Sequence, residues 1–333
     1  MTKRRAPGWT SVLGWILLVP GVVAAAALLV LDLFPALHAL SRYAIYAATF
    51  IPFLWLPSLV AILGLGLVLR GWWRGAALAL LLVAFVAWGV PVLPRNQGVD
   101  ISAAPVEVGL QVLSLNVEYG GADVRAIRDQ VTPSVDALAF QEYTSSFDTR
   151  LREAGILDEF PHRHGTVRED AGGTMILSRT PVTPVRQAEG TRFDNFVVSI
   201  TDEGNQWQVG VIHSTPPQLG AEAWAVDGAA VNAMALEDTS GPVLLVGDFN
   251  AIDEHLTMRE LTAAGEFRNT MDRESIFGGL ELWRPTWPMG GRWPPFARID
   301  HALHSRSVAA WVNYVEIPGT DHAGMIVTTA KPS

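Results

Sequence analysis

The sequence contains no cysteine. That excludes disulfides, thiolate metal sites and cysteine nucleophiles, and it leaves the compartment open, because exported and cytoplasmic domains can both do without it. Lysine is nearly absent, with Lys3 and Lys331 alone, a bias towards Arg and Ala that carries no chemistry. Acids are missing from one whole region. Residues 1–95 hold one of the 33 acids, Asp32, against seven of the 24 bases, so the remainder carries 17 bases and 32 acids, a net charge of −15. Neither an internal repeat nor a low-complexity tract is present.

What is there is apolar surplus. A chain of 333 residues has room for about two units, and its mean hydropathy of +0.24 is high for a soluble protein. The surplus lies in three stretches, about 11–31, 44–69 and 75–93, each close to the roughly 17–25 residues a helix needs to span a bilayer. The first alone would suit a signal peptide, with Lys3-Arg4-Arg5 as its basic start. Two further stretches favour three transmembrane helices within residues 1–95, and a buried core helix rarely runs uncharged for so long three times over. The bases cluster in the tail and beside Arg70 and Arg74, which puts those segments in the cytoplasm. An odd number of spans then puts everything after Leu93 outside the cytoplasmic membrane. Trp72 and Trp73 suit an interfacial anchor. Residues 96–106, rich in turn formers, read as a linker, and residues 107–333 as an acidic soluble domain.

In that domain, apolar runs alternate with helical patterns. VGLQVLSLNV, PSVDALAFQE, GGTMILSR, NFVVSI, WQVGVIHS, GPVLLVGDFN, FARIDHALHS, AAWVNYVEI and AGMIVTT read as strands, and ADVRAIRDQV, AEAWAVDGAAVNAMAL and HLTMRELTAAG as helices. Strand after strand ends in an acid, an amide or a histidine: Asn116, Glu142, His213, Asp248 with Asn250, Asp300 with His301, Asp321 with His322. Such groups can converge on one rim without disturbing the core. Carboxylates gathered there are costly unless paired or balanced by a cation, and hard oxygen donors suit Mg²⁺ or Mn²⁺.

These motifs, in this order, resemble the endonuclease/exonuclease/phosphatase superfamily, which includes DNase I-like nucleases, abasic-site endonucleases, inositol-polyphosphate phosphatases and neutral sphingomyelinases. The matching residues are LSLNV, FQE, GGTMILSR, VIHSTPP, LLVGDFNA, RIDHAL and GTDHAGMIV, spread over roughly Val108 to Thr329. The resemblance implies a four-layer α/β sandwich, two β-sheets packed face to face and flanked by helices. Three transmembrane helices ahead of it are similar to membrane-bound bacterial members, among them a group associated with teicoplanin resistance. The implied reaction is metal-assisted hydrolysis of a phosphoester or phosphoanhydride. By the resemblance Glu142 is the main Mg²⁺ (or Mn²⁺) ligand, with Asn116 beside it and Asp321 completing or supporting the site. Asp248 orients and deprotonates water, and Asn250 donates to the phosphate, the two facing one side through the two-residue period of an extended chain. Asp300 pairs with His322 and fixes its tautomer, and His213 is the second active-site histidine.

Plainer readings stand beside these. GDFN alone is also an Asx turn, Glu142 a capping acid, His213 a structural histidine and Asp300 a surface ion-pair partner. Glu118 sits where some nucleases carry a metal-binding acid. His301 and His304 are expected to be structural, and His162 and His164 to lie on a loop near the site. The Trp-rich segment Leu282 to Arg298 either packs on the sandwich or docks a lipid surface. Gly324 departs from the bulkier residue many relatives carry after the final Asp-His pair, which bears on local positioning.

The leading expectation is a membrane-anchored phosphohydrolase acting on a phosphorylated, lipid-linked substrate such as a polyprenyl (pyro)phosphate of cell-wall metabolism. A nuclease is the first alternative, disfavoured because duplex binding relies on Lys and Arg and the domain stands at −15. A non-catalytic binding protein for phosphorylated cell-wall precursors is the second. The topology makes a direct prediction. In this cysteine-free chain, Ser102→Cys should react with an impermeant maleimide in whole cells; no labelling, with an accessible control position labelled, would contradict it.

Overall fold

The computed structural model describes residues 9–69, 71–76, 78–79, 82–83, 107–202, 204–272 and 284–331. The chain divides into two compact units, Met1–Arg95 and Asn96–Ser333. The first is helical, with α1 (Trp9–Leu33), α2 (Arg42–Ala48) and α3 (Trp55–Val68). The expected span 44–69 is not one helix. Pro52 lacks an N–H and sits in a single 3₁₀ turn, Ile51–Phe53, after which the α-helix resumes at Trp55. Among the described residues, two helical stretches, Trp9–Leu33 and Ile51–Val68, are long and apolar enough to cross a membrane. The expected third span, 75–93, falls mostly outside the described residues, as does the linker 96–106. α1 and α3 meet through glycines. A Cβ on Gly64 would lie 2.4 Å from Leu18 N, and one on Gly21 2.6 Å from Ala61 N. This is the small-residue packing that brings apolar helices together where lipid is as greasy as the partner.

The second unit is built from two mixed β-sheets. Its strands are β1 (Val108–Asn116), β2 (Ala137–Gln141), β3 (His162–Gly165), β4 (Thr174–Ser178), β5 (Val182–Gln187), β6 (Phe196–Asp202) and β7 (Asn205–His213). They continue with β8 (Val243–Asp248), β9 (Phe267–Asn269), β10 (Met271–Asp272), β11 (Asp300–Ser305), β12 (Ala310–Glu316) and β13 (Ala323–Ala330). One sheet runs β10-β12-β13-β1-β2-β4-β3 and the other β5-β6-β7-β8-β11-β9. The helices are α4 (Val124–Gln130), α5 (Ser145–Glu153), α6 (Ile156–Glu159), α7 (Ala221–Leu236) and α8 (Leu256–Ala263). α5 escapes the apolar-pattern reading because it is short and mostly polar. Thr144 caps it by accepting from Phe147 N, and Phe147 and Leu151, one turn apart, are its buried stripe.

Two cores follow from the alternation of the strands. Between the sheets lie Leu110 and Val112 of β1, Ala137 and Ala139 of β2, Val209 and Val211 of β7, Leu244 and Val246 of β8, and Ala302 of β11. On the outer face of the first sheet, Leu113 and Leu115 pack with Ile127, Phe147, Leu151 and Ile156 of α4 to α6. α7 and α8 pack on one another and touch strands of the second sheet. The architecture is the expected α/β sandwich, two packed sheets flanked by helices.

The two-residue period now places the polar strand ends. Asn116 continues the row Leu110, Val112, Ser114. His213 follows Val211, Asp248 follows Val246, and Asp300 precedes Ala302 by two. Each therefore ends a row that faces the opposite sheet, so four polar groups meet at one rim of the inter-sheet seam. Register completes the alignment, with His213 opposite Asp248 in the parallel β7–β8 pair and Asp300 opposite Asp248 in the antiparallel β11–β8 pair.

Candidate active site

Asp248 is the centre of the rim. It is buried, and its Oδ2 accepts from Asn116 Nδ2 at 3.1 Å and from Asn250 Nδ2 at 3.1 Å. His213 Nε2 lies 4.0 Å and His322 Nε2 3.9 Å from the same oxygen. The Asn116 bond joins the two sheets. Gly247 makes the position possible: it sits at φ +139°, and a Cβ there would lie 2.0 Å from Ile212 O. Asn250 reaches Asp248 differently from expectation. The strand ends at Asp248, and Asn250 at φ +47° turns back, its N–H donating to Asp248 Oδ1 at 2.8 Å. The two groups share a side through an Asx turn, not through an extended chain.

His322 is set by Asp300, whose two oxygens both lie 3.0 Å from its Nδ1. Burial works against the charge on this ring, but Asp300 and then Asp248 outweigh it and push its pKa up to about 10. Burial in turn pushes Asp248 up, against the pull of the His322 imidazolium. His213 has no such carboxylate. Burial, with His322 nearby, drops it to about 3, so it is neutral, stacked 4.5 Å from Phe193, with Nδ1 unpartnered. One rim thus holds a charged and a neutral imidazole facing the same carboxylate oxygen: at neutral pH the first is a standing cationic hydrogen-bond donor and the second an uncharged ring.

The first sheet supplies the second half. Glu142 follows β2 at φ +60° and takes Asn116 Nδ2 at 3.3 Å on Oε1 and Tyr119 N at 2.7 Å on Oε2. Burial raises its pKa despite both bonds. Glu118 lies in the same turn, raised by burial and by the Asp321 charge. Among the described residues the non-glycine positions with positive φ are Glu118, Tyr119, Glu142 and Asn250. All belong to this site, where backbone strain of about 1–3 kcal/mol per residue is a recurrent feature. Asp321 Oδ1 is 3.6 Å from His322 Nε2, and its Oδ2 accepts from Trp287 Nε1 at 2.8 Å.

All eight expected site residues, Asn116, Glu142, His213, Asp248, Asn250, Asp300, Asp321 and His322, thus lie on one chain of contacts. Two groupings offer themselves to a divalent cation. Asp248, Asp300 and His322 bring ligand atoms within 4.8 Å of one another. There, however, His322 Nδ1 is spent on Asp300 and the ring is cationic, which makes it a poor ligand. The Glu142–Asn116 side, with Asp321 and Glu118, offers oxygen donors, and burial raises Glu142 and Glu118. That set fits Mg²⁺ or Mn²⁺ better.

Several supports were not read from the sequence. Thr320 Oγ1 donates to Asn116 O at 2.7 Å and accepts from His322 N at 3.2 Å. Thr286 Oγ1 accepts from Asp300 N at 3.1 Å, and Asn195 Oδ1 from His213 N at 2.7 Å. The position of Thr320 before Asp-His is a local clue, whereas Thr286, Trp287 and Asn195 come from distant segments. Two expectations are corrected. His162 and His164 form the edge strand β3 instead of a loop, and the His164 ring packs edge-on against Phe196 at 4.8 Å. Gly324 sits in a regular ladder opposite Val315, where a Cβ would come 2.8 Å from Val315 Cγ2, so it fits the strand pair instead of loosening it. His301 and His304 are structural: His301 Nε2 bonds Ala251 O at 2.8 Å, and His304 Nδ1 bonds Ser305 O at 3.0 Å.

Residues 113–322 match the model of the Endonuclease/Exonuclease/phosphatase family. No curated protein matched the sequence. Solved structures similar in fold include an endonuclease/exonuclease/phosphatase from Beutenbergia cavernae DSM 12333, 17% identical over 66% of this chain and 71% of that one, TM-score 0.49. Another is sphingomyelinase C from Streptomyces griseocarneus, 17% identical over 68% and 100%, TM-score 0.46. A third, a family protein from Leptotrichia buccalis C-1013-b, is 16% identical over 66% and 99%, TM-score 0.48.

The charged histidine has a consequence for stability. Its folded pKa lies above its unfolded value, so the contribution is complete below about pH 6.5 and is lost as pH rises through about 10. Asp300→Asn should cost about 3–5 kcal/mol at pH 6 and flatten the fall in denaturant midpoint between pH 6.5 and 10. Parallel pH profiles for wild type and variant would contradict the pairing.

Proposed function

The chain belongs to the endonuclease/exonuclease/phosphatase family, and from that premise we propose that it is a membrane-anchored, Mg²⁺- or Mn²⁺-dependent phosphohydrolase. Its site acts outside the cytoplasmic membrane on a phosphoester or phosphoanhydride of a lipid-linked substrate, with a polyprenyl (pyro)phosphate as the leading candidate. The observation that carries the chemistry is the single oxygen Asp248 Oδ2, faced by Asn116, Asn250, His213 and His322. Asp248 accepts the proton of the attacking water; its raised pKa suits it to a base working near neutrality. The His322 imidazolium, held by Asp300, donates to a phosphoryl oxygen as negative charge develops, and the Asn250 amide, which donates to Asp248 Oδ2 and Ser214 O, holds the base in place. Neutral His213 offers Nε2 on the other side of Asp248. Glu142, Asn116 and Asp321 would hold the divalent cation, which when bound supplies Lewis-acid stabilisation of the phosphoryl and leaving oxygens.

The membrane anchor is supported by the two apolar helices found among the described residues; the extracytoplasmic side rests on the expected third span, 75–93, together with the distribution of bases. The charge of −15 after residue 95 disfavours polyanionic nucleic acid, since a duplex is held chiefly by Lys and Arg. A tethered domain meets lipid-borne substrates without searching solution.

Phosphate release from a long-chain polyprenyl diphosphate by the detergent-purified full-length protein tests the reading. Release should require Mg²⁺ or Mn²⁺ and should fall about 10²–10⁴-fold in Asp248→Asn. Equal rates in the variant, or no release by folded, metal-loaded protein, would overturn it.

A further inference from the structure

The segment 284–299 stands apart in an acidic domain. It contains Arg284, Arg292 and Arg298, Trp287 and Trp293, four prolines and no acid. It is tied to the active site through Asp321 and Asp300: Trp287 Nε1 donates to Asp321 Oδ2 at 2.8 Å, Met289 N donates to Asp321 O at 2.7 Å, and Thr286 Oγ1 accepts from Asp300 N at 3.1 Å. Thr286 O also accepts from Ala323 N at 2.9 Å, directly after His322. The segment ends at Asp300 itself. Its arginines are not equivalent. Arg298 is committed to Asp253, and the Arg284 guanidinium lies 5.2 Å over the Tyr314 ring.

Against this segment lies a cavity of about 180 Å³. Pro285, Met289 and Pro295 line it from the segment, and Tyr314 and Ala323 from β12 and β13, with Arg284 and Glu316 as its charged members. The wall is therefore mostly hydrocarbon, and Ala323 puts one end of it a single residue from His322. A cavity of this size matches the roughly 150 Å³ that accommodates a benzene-sized ligand, enough for about one branched five- or six-carbon unit. Nearby in sequence, Trp293 is 76% exposed and follows the exposed Arg292. An exposed indole beside a cation has the amphipathic character of residues that settle at a lipid–water boundary.

We propose that the cavity between segment 284–299 and strands β12–β13 is a subsite for the first hydrocarbon unit of an amphiphilic phosphoester, whose phosphate occupies the Asp248–His322 rim. The inference rests on the phosphohydrolase reading and names the part of the substrate which that chemistry leaves unspecified. The apolar part of the wall, Pro285, Met289, Pro295 and Ala323, favours a hydrocarbon chain over a sugar or nucleoside, whose hydroxyls would be left unpaired against it. Met289 and Tyr314 thereby become specificity residues; they have no part in proton transfer.

The test uses the full-length protein in detergent with an alkyl phosphate carrying a diazirine on its first carbons, followed by peptide mapping and, in parallel, assay of long-chain phosphoester hydrolysis. Cross-links should fall on 285–295 and 312–316, be displaced by a long-chain phosphate but not by inorganic phosphate, and drop about tenfold or more in Met289→Lys, which puts a charge in the apolar wall. Tyr314→Ala provides a second variant with no new charge and should lower pocket labelling and kcat/KM for the long-chain substrate together, leaving hydrolysis of a small soluble phosphoester unchanged. Hydrolysis with cross-links confined elsewhere would overturn the subsite and leave the function standing. Pocket cross-links without hydrolysis would support the subsite and overturn the hydrolase reading. Absence of both would overturn both.

Discussion

Asn116 Nδ2 donates to Asp248 Oδ2 at 3.1 Å, and the rest of the site is arranged around that bond. It runs from the last residue of β1 in one sheet to the last residue of β8 in the other. Neither residue reaches it by a special loop. Each is the terminal member of an alternating row whose earlier members, Val112 and Val246, fill the dry space between the sheets. Close packing of those rows fixes the rim to which the polar ends belong. The core therefore does more than stabilise: it sets the spacing between two polar half-sites that are not held by a shared loop.

The halves differ in character. On the second sheet, register places His213 and Asp300 on either side of Asp248, and Asp300 fixes a cationic His322. We propose that protons are held and moved there. On the first sheet, the strained turns at Glu118–Tyr119 and Glu142 present carboxylates whose charge is disfavoured by burial. Cation binding suits that side. Asp321, whose Oδ1 lies 3.6 Å from His322 Nε2, borders both sides, and the Asn116 amide, which touches both Glu142 and Asp248, links them.

Much of this could be read from residue order because strand alternation is local. The apolar row before Asp248 announces both its strand and the face on which the acid lies. The eight expected site residues share that property: each stands at a strand terminus or within two residues of one. What escaped depends on non-local partners or on backbone turns. Asn250 looks like the next outward residue of an extended chain, but the Asx turn takes over once the ladder stops. Trp287 carries no local sign that its indole will meet Asp321, thirty-four residues on. His162 and His164 look like loop residues because a four-residue edge strand is too short to show alternation. In the first unit, composition alone could not show that Pro52 divides the apolar run 44–69.

The division into a cation side and a proton side is most directly tested by Mn²⁺ binding to the full-length protein, followed by electron paramagnetic resonance in Glu142→Gln and Asp300→Asn. The account predicts that Mn²⁺ affinity is lost in Glu142→Gln and largely kept in Asp300→Asn. Loss in Asp300→Asn with Glu142→Gln unaffected would place the ion among Asp248, Asp300 and His322 and contradict it.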